Sequence, residues 1–295
     1  MKRLLICIIC CLAIHANANA AISVVDDDGD TVVLPHPAQR IVTLAPHLTE
    51  MMFAIGAGPH IVGTVTYSDF PAEAKRIPVI GDNLHIDLER VAALKPDLLV
   101  VWQHGNASRE LDALRQLGIP LFYSEPHDLA QIPDTLTRLG RLAGTDAKAQ
   151  QVADSMRTQF NNLAARYARR PSVRVFYQVW DKPLYTLNGK HYVSDVFRLC
   201  GGENIFAGLT TTAPVVSVEA VLQENPEAIM TGDLRKEENG LALWKAYPRM
   251  LAVQRGNLFA FDPDLLVRPG PRIVEGAAAV CEKLDLARSR REPRK

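Results

Sequence analysis

One pattern constrains this chain more than any other: short apolar runs of strand character alternate with stretches in which apolar residues recur at helical spacing. In the first half the runs are Ile41 to Ala45, Ile61 to Val65, Leu98 to Val101 and Pro120 to Tyr123, with helical patterns over 48–55, 88–95 and 108–117. After Pro171 the alternation restarts with Val173 to Val179, Ala228 to Met230 and Leu258 to Phe261, among helical patterns over 193–199, 217–224, 241–252 and 271–284. Strands separated by helices pair in parallel, because a helix-length crossover returns the chain to the same end of the sheet, and the helices then cover both faces. The class expected is therefore α/β with parallel sheets. Between the halves, residues 146–170 carry no strand signal, and Val152, Met156, Phe160, Leu163 and Tyr167 follow one helical stripe. At 1.5 Å per residue such a helix reaches about 37 Å, enough to join two domains.

The two ends read differently. Lys2 and Arg3 precede an apolar run from Leu4 to Ile14 and then Ala16-Asn17-Ala18-Asn19-Ala20, the pattern of a secretory signal cleaved after Ala20. That run is shorter than the roughly 20 residues a membrane span requires. The expectation is a soluble, exported protein without a lipid anchor. Ile22 to Val25 and Thr31 to Leu34 flank Asp28-Gly29, a tight-turn signal for a hairpin. The organisation expected is a signal peptide over 1–20, an N-terminal lobe over 21–145, a linking helix over 146–170, a C-terminal lobe over 171–287 and a frayed basic tail over 288–295. Lys plus Arg and Asp plus Glu both number 33, so the net charge is zero and a nucleic-acid partner is disfavoured. Of the 5 cysteines, only Cys200 and Cys281 lie beyond the signal. An oxidising compartment permits one bridge between them; two buried thiols are the alternative.

The halves also match locally. Residues 87–101 align without gaps on 217–231, so that Glu89, Val91 and Pro96 recur as Glu219, Val221 and Pro226. Each segment reads as a capping residue (Asp87 or Ser217), a short helix, a proline stop and a buried strand. The shared order favours duplication.

Ligands of open parallel sheets bind outside the carboxyl ends of the strands. Aromatic residues collect there: Tyr67, Trp102, Phe122, Tyr123, Trp180 and Phe261 follow or end their runs. Taken together they suggest a ring-lined cleft for a large, flat or partly apolar ligand, although each alone is better explained by packing. The motifs G-x-S-x-G, H-E-x-x-H and G-x-x-x-x-G-K-[ST] do not occur, which argues against an enzyme. The histidines beyond the signal are His36, His47, His60, His85, His104, His127 and His191, and none pairs with another at the i, i+4 spacing of a zinc site. His85, Asp87 and His104 could still approach one another as a metal-dependent hydrolase site, the alternative from another class. Gly201 to Asn204 reads as a helix stop. Glu89 and Glu219 sit in first helical turns, where the helix N-terminus favours a carboxylate, and on equivalent surfaces of two lobes.

With these residues in hand, the chain resembles the class III (cluster A) periplasmic substrate-binding proteins of ABC importers, most closely the cobalamin (vitamin B12) binding branch. The resemblance rests on Arg40 to Pro46 with Thr49-Glu50, Tyr67-Ser68-Asp69-Phe70-Pro71, Leu88-Glu89-Arg90, Lys95-Pro96-Asp97, Trp102 with Gly105-Asn106, Cys200 to Phe206, and Pro271-Arg272-Ile273. It implies two Rossmann-like α/β lobes with parallel sheets joined by one long helix. It also implies a corrinoid ligand held by Tyr67, Trp102, Asp264 and Arg268, a disulfide between Cys200 and Cys281, and no bond chemistry. Glu89 and Glu219 would pair with arginines of an inner-membrane permease dimer carrying its ATPase, the receptor acting as a monomer. Two further cleft tryptophans of that branch fall on Asn83 and Ala213 here, an aromatic after Asp264 becomes Leu265, and Trp180 is a substitute outside the pattern. These departures keep haem and ferric siderophores open as ligands.

Overall fold

The computed structural model describes residues 21–232 and 240–291; the signal segment expected over 1–20 lies outside the described residues. The chain opens with a hairpin, β1 (Ile22–Val25) antiparallel to β2 (Thr31–Leu34). Its register pairs Val25 with Thr31, so the connection is the loop Asp26 to Asp30 rather than a two-residue turn. Asp26 Oδ1 accepts the N–H groups of Asp28 and Asp30, and Gly29 takes the left-handed φ of +89°.

The first lobe follows as β3 (Ile41–Thr43), α1 (Pro46–Ala54), β4 (Ile61–Gly63), α2 (Leu88–Ala93), β5 (Leu98–Trp102), α3 (Ser108–Arg115) and β6 (Leu121–Ser124). Its four strands are parallel in the order β4-β3-β5-β6. Next come α4 (Gln131–Ala143) and the long α5 (Asp146–Tyr167). The second lobe runs β7 (Val173–Gln178), a small antiparallel pair β8 (Trp180–Asp181) and β9 (Leu184–Tyr185), α6 (Tyr192–Leu199), β10 (Gly202–Asn204), α7 (Val218–Glu224) and β11 (Ala228–Thr231). It closes with α8 (Leu251–Gln254), β12 (Leu258–Ala260), α9 (Pro263–Leu266) and α10 (Ile273–Ser289). Its main sheet is again parallel, in the order β10-β7-β11-β12. Numbered from the first strand of each lobe, both sheets read second, first, third, fourth.

Period-two alternation sorts the strand residues onto two faces. Leu99 and Val101 of β5 pack with Val42, Val91 and Leu114 under α2 and α3, while Leu98 and Val100 join a different cluster with Met51, Leu136 and Phe160. In the second lobe Phe176 and Ile229 pack with Val221 and Trp244, while Val175, Tyr177 and Met230 enter that same shared cluster with Phe197 and Leu284. One face of each sheet therefore belongs to a core that runs through α4, α5 and α10 from lobe to lobe. The lobes are fused along this spine, more extensively than a single connecting helix implies.

Four sequence expectations change. The helix α4 is absent from the sequence reading, although Ile132, Leu136, Leu139 and Leu142 are fully buried at helical spacing. Its Gly140 lies against α5, where an added Cβ would stand 2.2 Å from the Ala149 methyl. Gly201 does stop its helix with φ of +70°, but Gly202–Asn204 then pairs with β7 as an edge strand. The helical stretch expected over 241–252 divides into a 3-10 segment, Gly240–Ala246, and α8. The tail expected to fray from Arg288 is instead anchored through its described residues. Arg288 donates to the carbonyls of Pro171, Cys200 and Gly201, Arg290 to that of Gly256, and Arg291 to both oxygens of Glu227. Residues 292–295 lie outside the described residues. A disulfide joins Cys200 at the end of α6 to Cys281 in α10, with Cα atoms 4.7 Å apart.

Candidate functional site

The matched segments fold alike. Asp87 accepts from Arg90 N–H and Ser217 from Ala220 N–H, each through its side chain, so both short helices start on a capped turn. Lys95 and Asn225, at equivalent positions before the prolines, take left-handed φ values of 47° and 44°. Arg40 and Arg174 each donate a guanidinium N–H to the carbonyl at the equivalent helix end, Leu94 or Glu224. Glu89 and Glu219 are consequently exposed at the same place on the two lobes.

At the carboxyl ends of β5 and β6 and across from them lies a cavity of about 540 Å³, within the range of small-ligand sites. The first lobe contributes Trp102, His104, Glu125, Pro126 and His127. The second contributes Lys190, His191, Tyr192, Thr212 and Pro269. Trp102 is held from several directions. Its backbone N–H donates to Asn106 Oδ1, whose amide donates onward to the carbonyl of Leu44. Its indole lies on Gly105, where a Cβ would stand 1.8 Å from the ring, so only glycine leaves room. Behind it the buried His47 ring meets it edge-on at 5.3 Å. Burial, with Arg268 nearby, pulls His47 down to about 3, so that ring is neutral.

Beside Trp102, His104 Nδ1 stands 3.4 Å from Glu125 Oε2, and the same carboxylate oxygen accepts the His104 backbone N–H at 3.1 Å. Glu125 is fixed in turn, its own N–H donating to Asp27. Across the cavity His191 Nδ1 accepts the N–H of Val193 at the start of α6, and its ring lies 4.1 Å from that of Tyr192. Burial, assisted by His127, lowers His191 to about 4. Tyr192 donates its hydroxyl to the carbonyl of Val267, and burial pushes it far above the usual phenol range.

A buried ion network ties the lobes together next to the cavity. Glu50 of α1, 3% exposed, accepts from Arg268 at 2.7 Å and from Arg272 through two bonds of 2.8 and 2.7 Å. Arg268 reaches Asp69, Asp264 and the carbonyl of Tyr67 as well. Arg272 also stacks on Phe70 at 4.1 Å. Burial raises the Asp264 carboxyl despite these arginines.

Of the residues expected at the cleft, Trp102 lines the cavity. Tyr67 is not among its lining residues; it sits on a left-handed backbone, φ 64°, and is 78% exposed, and Trp180 is half-exposed on β8. Asn83 is exposed and donates to the carbonyl of Gly105, supporting the loop under Trp102. Ala213 is exposed next to Thr212. Arg268 is not an open ligand group, because its guanidinium is engaged by three carboxylates and a carbonyl. Phe122, Tyr123 and Phe261 are buried in the core, since strand alternation turns them onto covered faces. His85, Asp87 and His104 are not brought together: His85 pairs with Asp82, Asp87 caps α2 and His104 meets Glu125. Among the described residues no group of three His, Cys, Asp or Glu side chains is placed to hold a bare metal ion. Glu125 and His127 follow β6 directly and the strand-tip rule would have found them. Lys190 and His191 come from the loop before α6, and Tyr192 from its first turn, which carry no such signal.

A family model described as "Periplasmic binding protein" matches residues 41–265. A vitamin B12-binding protein of Vibrio cholerae is 38% identical over 254 residues, covering 86% of this chain and 91% of that one. A vitamin B12-binding protein of Yersinia pestis is 37% identical over 248 residues, covering 84% and 86%. Among solved structures, the periplasmic vitamin B12 binding protein of Vibrio cholerae superposes with a TM-score of 0.78 at 37% identity, over 85% of this chain and 98% of that one. A periplasmic haem-binding protein from Roseiflexus shares the fold, with a TM-score of 0.74 at 22% identity, over 85% and 99%.

Proposed function

The chain belongs to the periplasmic binding protein family, and from that premise we propose that it captures a corrinoid, cobalamin, between its lobes and delivers it to an ABC importer. The observation that carries this reading is the inter-lobe cavity with its supported indole and its ring of imidazole and phenol groups. Its walls offer flat apolar contact and scattered polar groups, which suits a macrocycle with an amide rim. The likeness to proteins named for vitamin B12 supports the same choice. In this reading residues 21–145 and 171–287 act as two lobes on the 146–170 helix, and the shared core and the Glu50 network allow only limited closure. The protein holds and releases its cargo without bond chemistry. Exported through its cleaved N-terminal signal, it works in the periplasm as a monomer.

Buried rings at such a site contribute about 1 to 3 kcal/mol each. Calorimetric titration with cyanocobalamin, haemin and a ferric hydroxamate tests the ligand: saturable binding of cyanocobalamin is expected. Uptake of haemin with a Soret band, and none of cyanocobalamin, would overturn the choice. Trp102→Ala should weaken cyanocobalamin binding more than it lowers the unfolding midpoint; equal losses would make the ring merely structural.

The exposed Glu89 and Glu219 would dock on arginines of a two-fold permease, since equivalent points of two similar lobes match a two-fold partner. Replacing both by alanine should abolish transport and leave ligand affinity intact. Surviving transport would reduce them to helix-end charges.

A further inference from the structure

On the reading that the cargo is a corrinoid, we propose that His104, oriented by Glu125, supplies an axial nitrogen ligand to the cobalt of corrinoids whose axial position is exchangeable. A bare ion needs several protein ligands, but a corrinoid brings four equatorial nitrogens and a lower axial base of its own, so one well-placed imidazole is enough to take an exchangeable upper position. Three histidines line the cavity, His104, His127 and His191, and His104 and His191 differ in which nitrogen is engaged. His191 accepts the Val193 N–H at Nδ1, so in its neutral form the proton sits on Nε2 and the ring offers the cavity a donor. His104 has the opposite arrangement. Its Nδ1 lies 3.4 Å from Glu125 Oε2, an ionic contact that favours the proton on Nδ1 and the lone pair on Nε2. A carboxylate behind an imidazole is the usual support of a metal-ligating histidine, fixing its tautomer and raising its basicity.

The exposures fit this role. The His104 side chain is 72% exposed while Glu125 is 17% exposed, an open ring on a fixed support. Trp102, two residues earlier on the same wall, offers the flat contact beside it. In the step itself the bond from cobalt to a bound water breaks and a bond from cobalt to Nε2 forms. The water leaves, the oxidation state is unchanged and no proton is released, because Nδ1 keeps its own.

The test compares aquocobalamin, whose axial water exchanges, with cyanocobalamin, whose cyanide does not. Cyanocobalamin should bind with an unchanged absorption spectrum, which tests the corrinoid reading alone. Aquocobalamin should bind with its spectrum shifted to that of an imidazole-ligated cobalamin. His104→Ala should abolish the shift and weaken aquocobalamin on the order of tenfold more than it weakens cyanocobalamin, and Glu125→Ala should reduce the ligation by a comparable factor. Binding of both corrinoids with no spectral shift would overturn the proposal while sparing the function. A shift that persists in His104→Ala and disappears in His127→Ala or His191→Ala would overturn the assignment. Failure of both corrinoids to bind would overturn the function as well.

Discussion

The two lobes share a scaffold and diverge in what they offer a ligand. Both sheets run in the same strand order. Both carry a capped short helix, a left-handed residue, a buried proline and a buried strand, with an arginine at the start of the neighbouring strand, just before β3 or within β7, closing the helix end. Yet the first lobe builds its cavity wall from residues at or just after strand tips, Trp102, His104, Glu125 and His127. The second builds its wall from the loop before α6 and that helix's first residue, Tyr192, and from Thr212 and Pro269. The second lobe is also stapled, by a disulfide and by the arginines of α10 and its end. A duplicated framework thus preserves the hydrogen bonds that shape the backbone, while the loops, which that framework does not constrain, hold the chemistry.

The staple offers the largest test of this asymmetry. Replacing Cys200 and Cys281 by serine opens a loop of 81 residues and should cost about 4 kcal/mol in denaturant unfolding. Hydrogen exchange should rise first around α6 and α10; equal loosening of both lobes would show that the shared core fails as one unit. Next in size is the link between lobes. Glu50→Gln leaves Arg268 and Arg272 facing an uncharged group in a buried site and should cost about 3 kcal/mol, with the lobes more mobile in small-angle scattering. An unchanged unfolding curve would mean that the spine alone sets their orientation.

Acid should probe both lobes through one buried histidine each. His47 and His191 have folded values of about 3 and about 4, below the roughly 6.5 of an unfolded chain. The unfolded state therefore takes up protons first. Stability is complete above pH 6.5 and declines as pH falls towards 4, by about 2 kcal/mol per histidine at pH 5. His47→Gln and His191→Gln should each flatten part of that slope; a slope indifferent to both would show that other groups govern it. The smallest effect compares the repeated caps. Asp87→Ala and Ser217→Ala should each cost about 1 kcal/mol, and a large inequality would break the equivalence of the two units.

Much of the fold was legible because strand and helix periodicities are written residue by residue. Every strand of the two main sheets except β10 follows an apolar run, and α5 follows its stripe of Val152, Met156, Phe160, Leu163 and Tyr167. The edge strand β10 was missed because Gly201 and Gly202 dominate its local signal. The site was legible on one side only. Trp102 and His104 could be placed from the strand before them, whereas Arg268 looked like a ligand group until its partners Glu50 and Asp69, far away in the chain, were in view.

The sequence by itself determined the layers, the parallel pairing, the repeated unit and the long helix, since each depends on which neighbours a residue has along the chain. Tertiary structure alone decided which aromatic rings are core and which line the cavity, which arginines are already spent on carboxylates, and what holds Nδ1 of His104 and of His191. Those outcomes depend on how two sheets are set against a common helical spine, and no local spacing encodes the distance between loops that meet only across it.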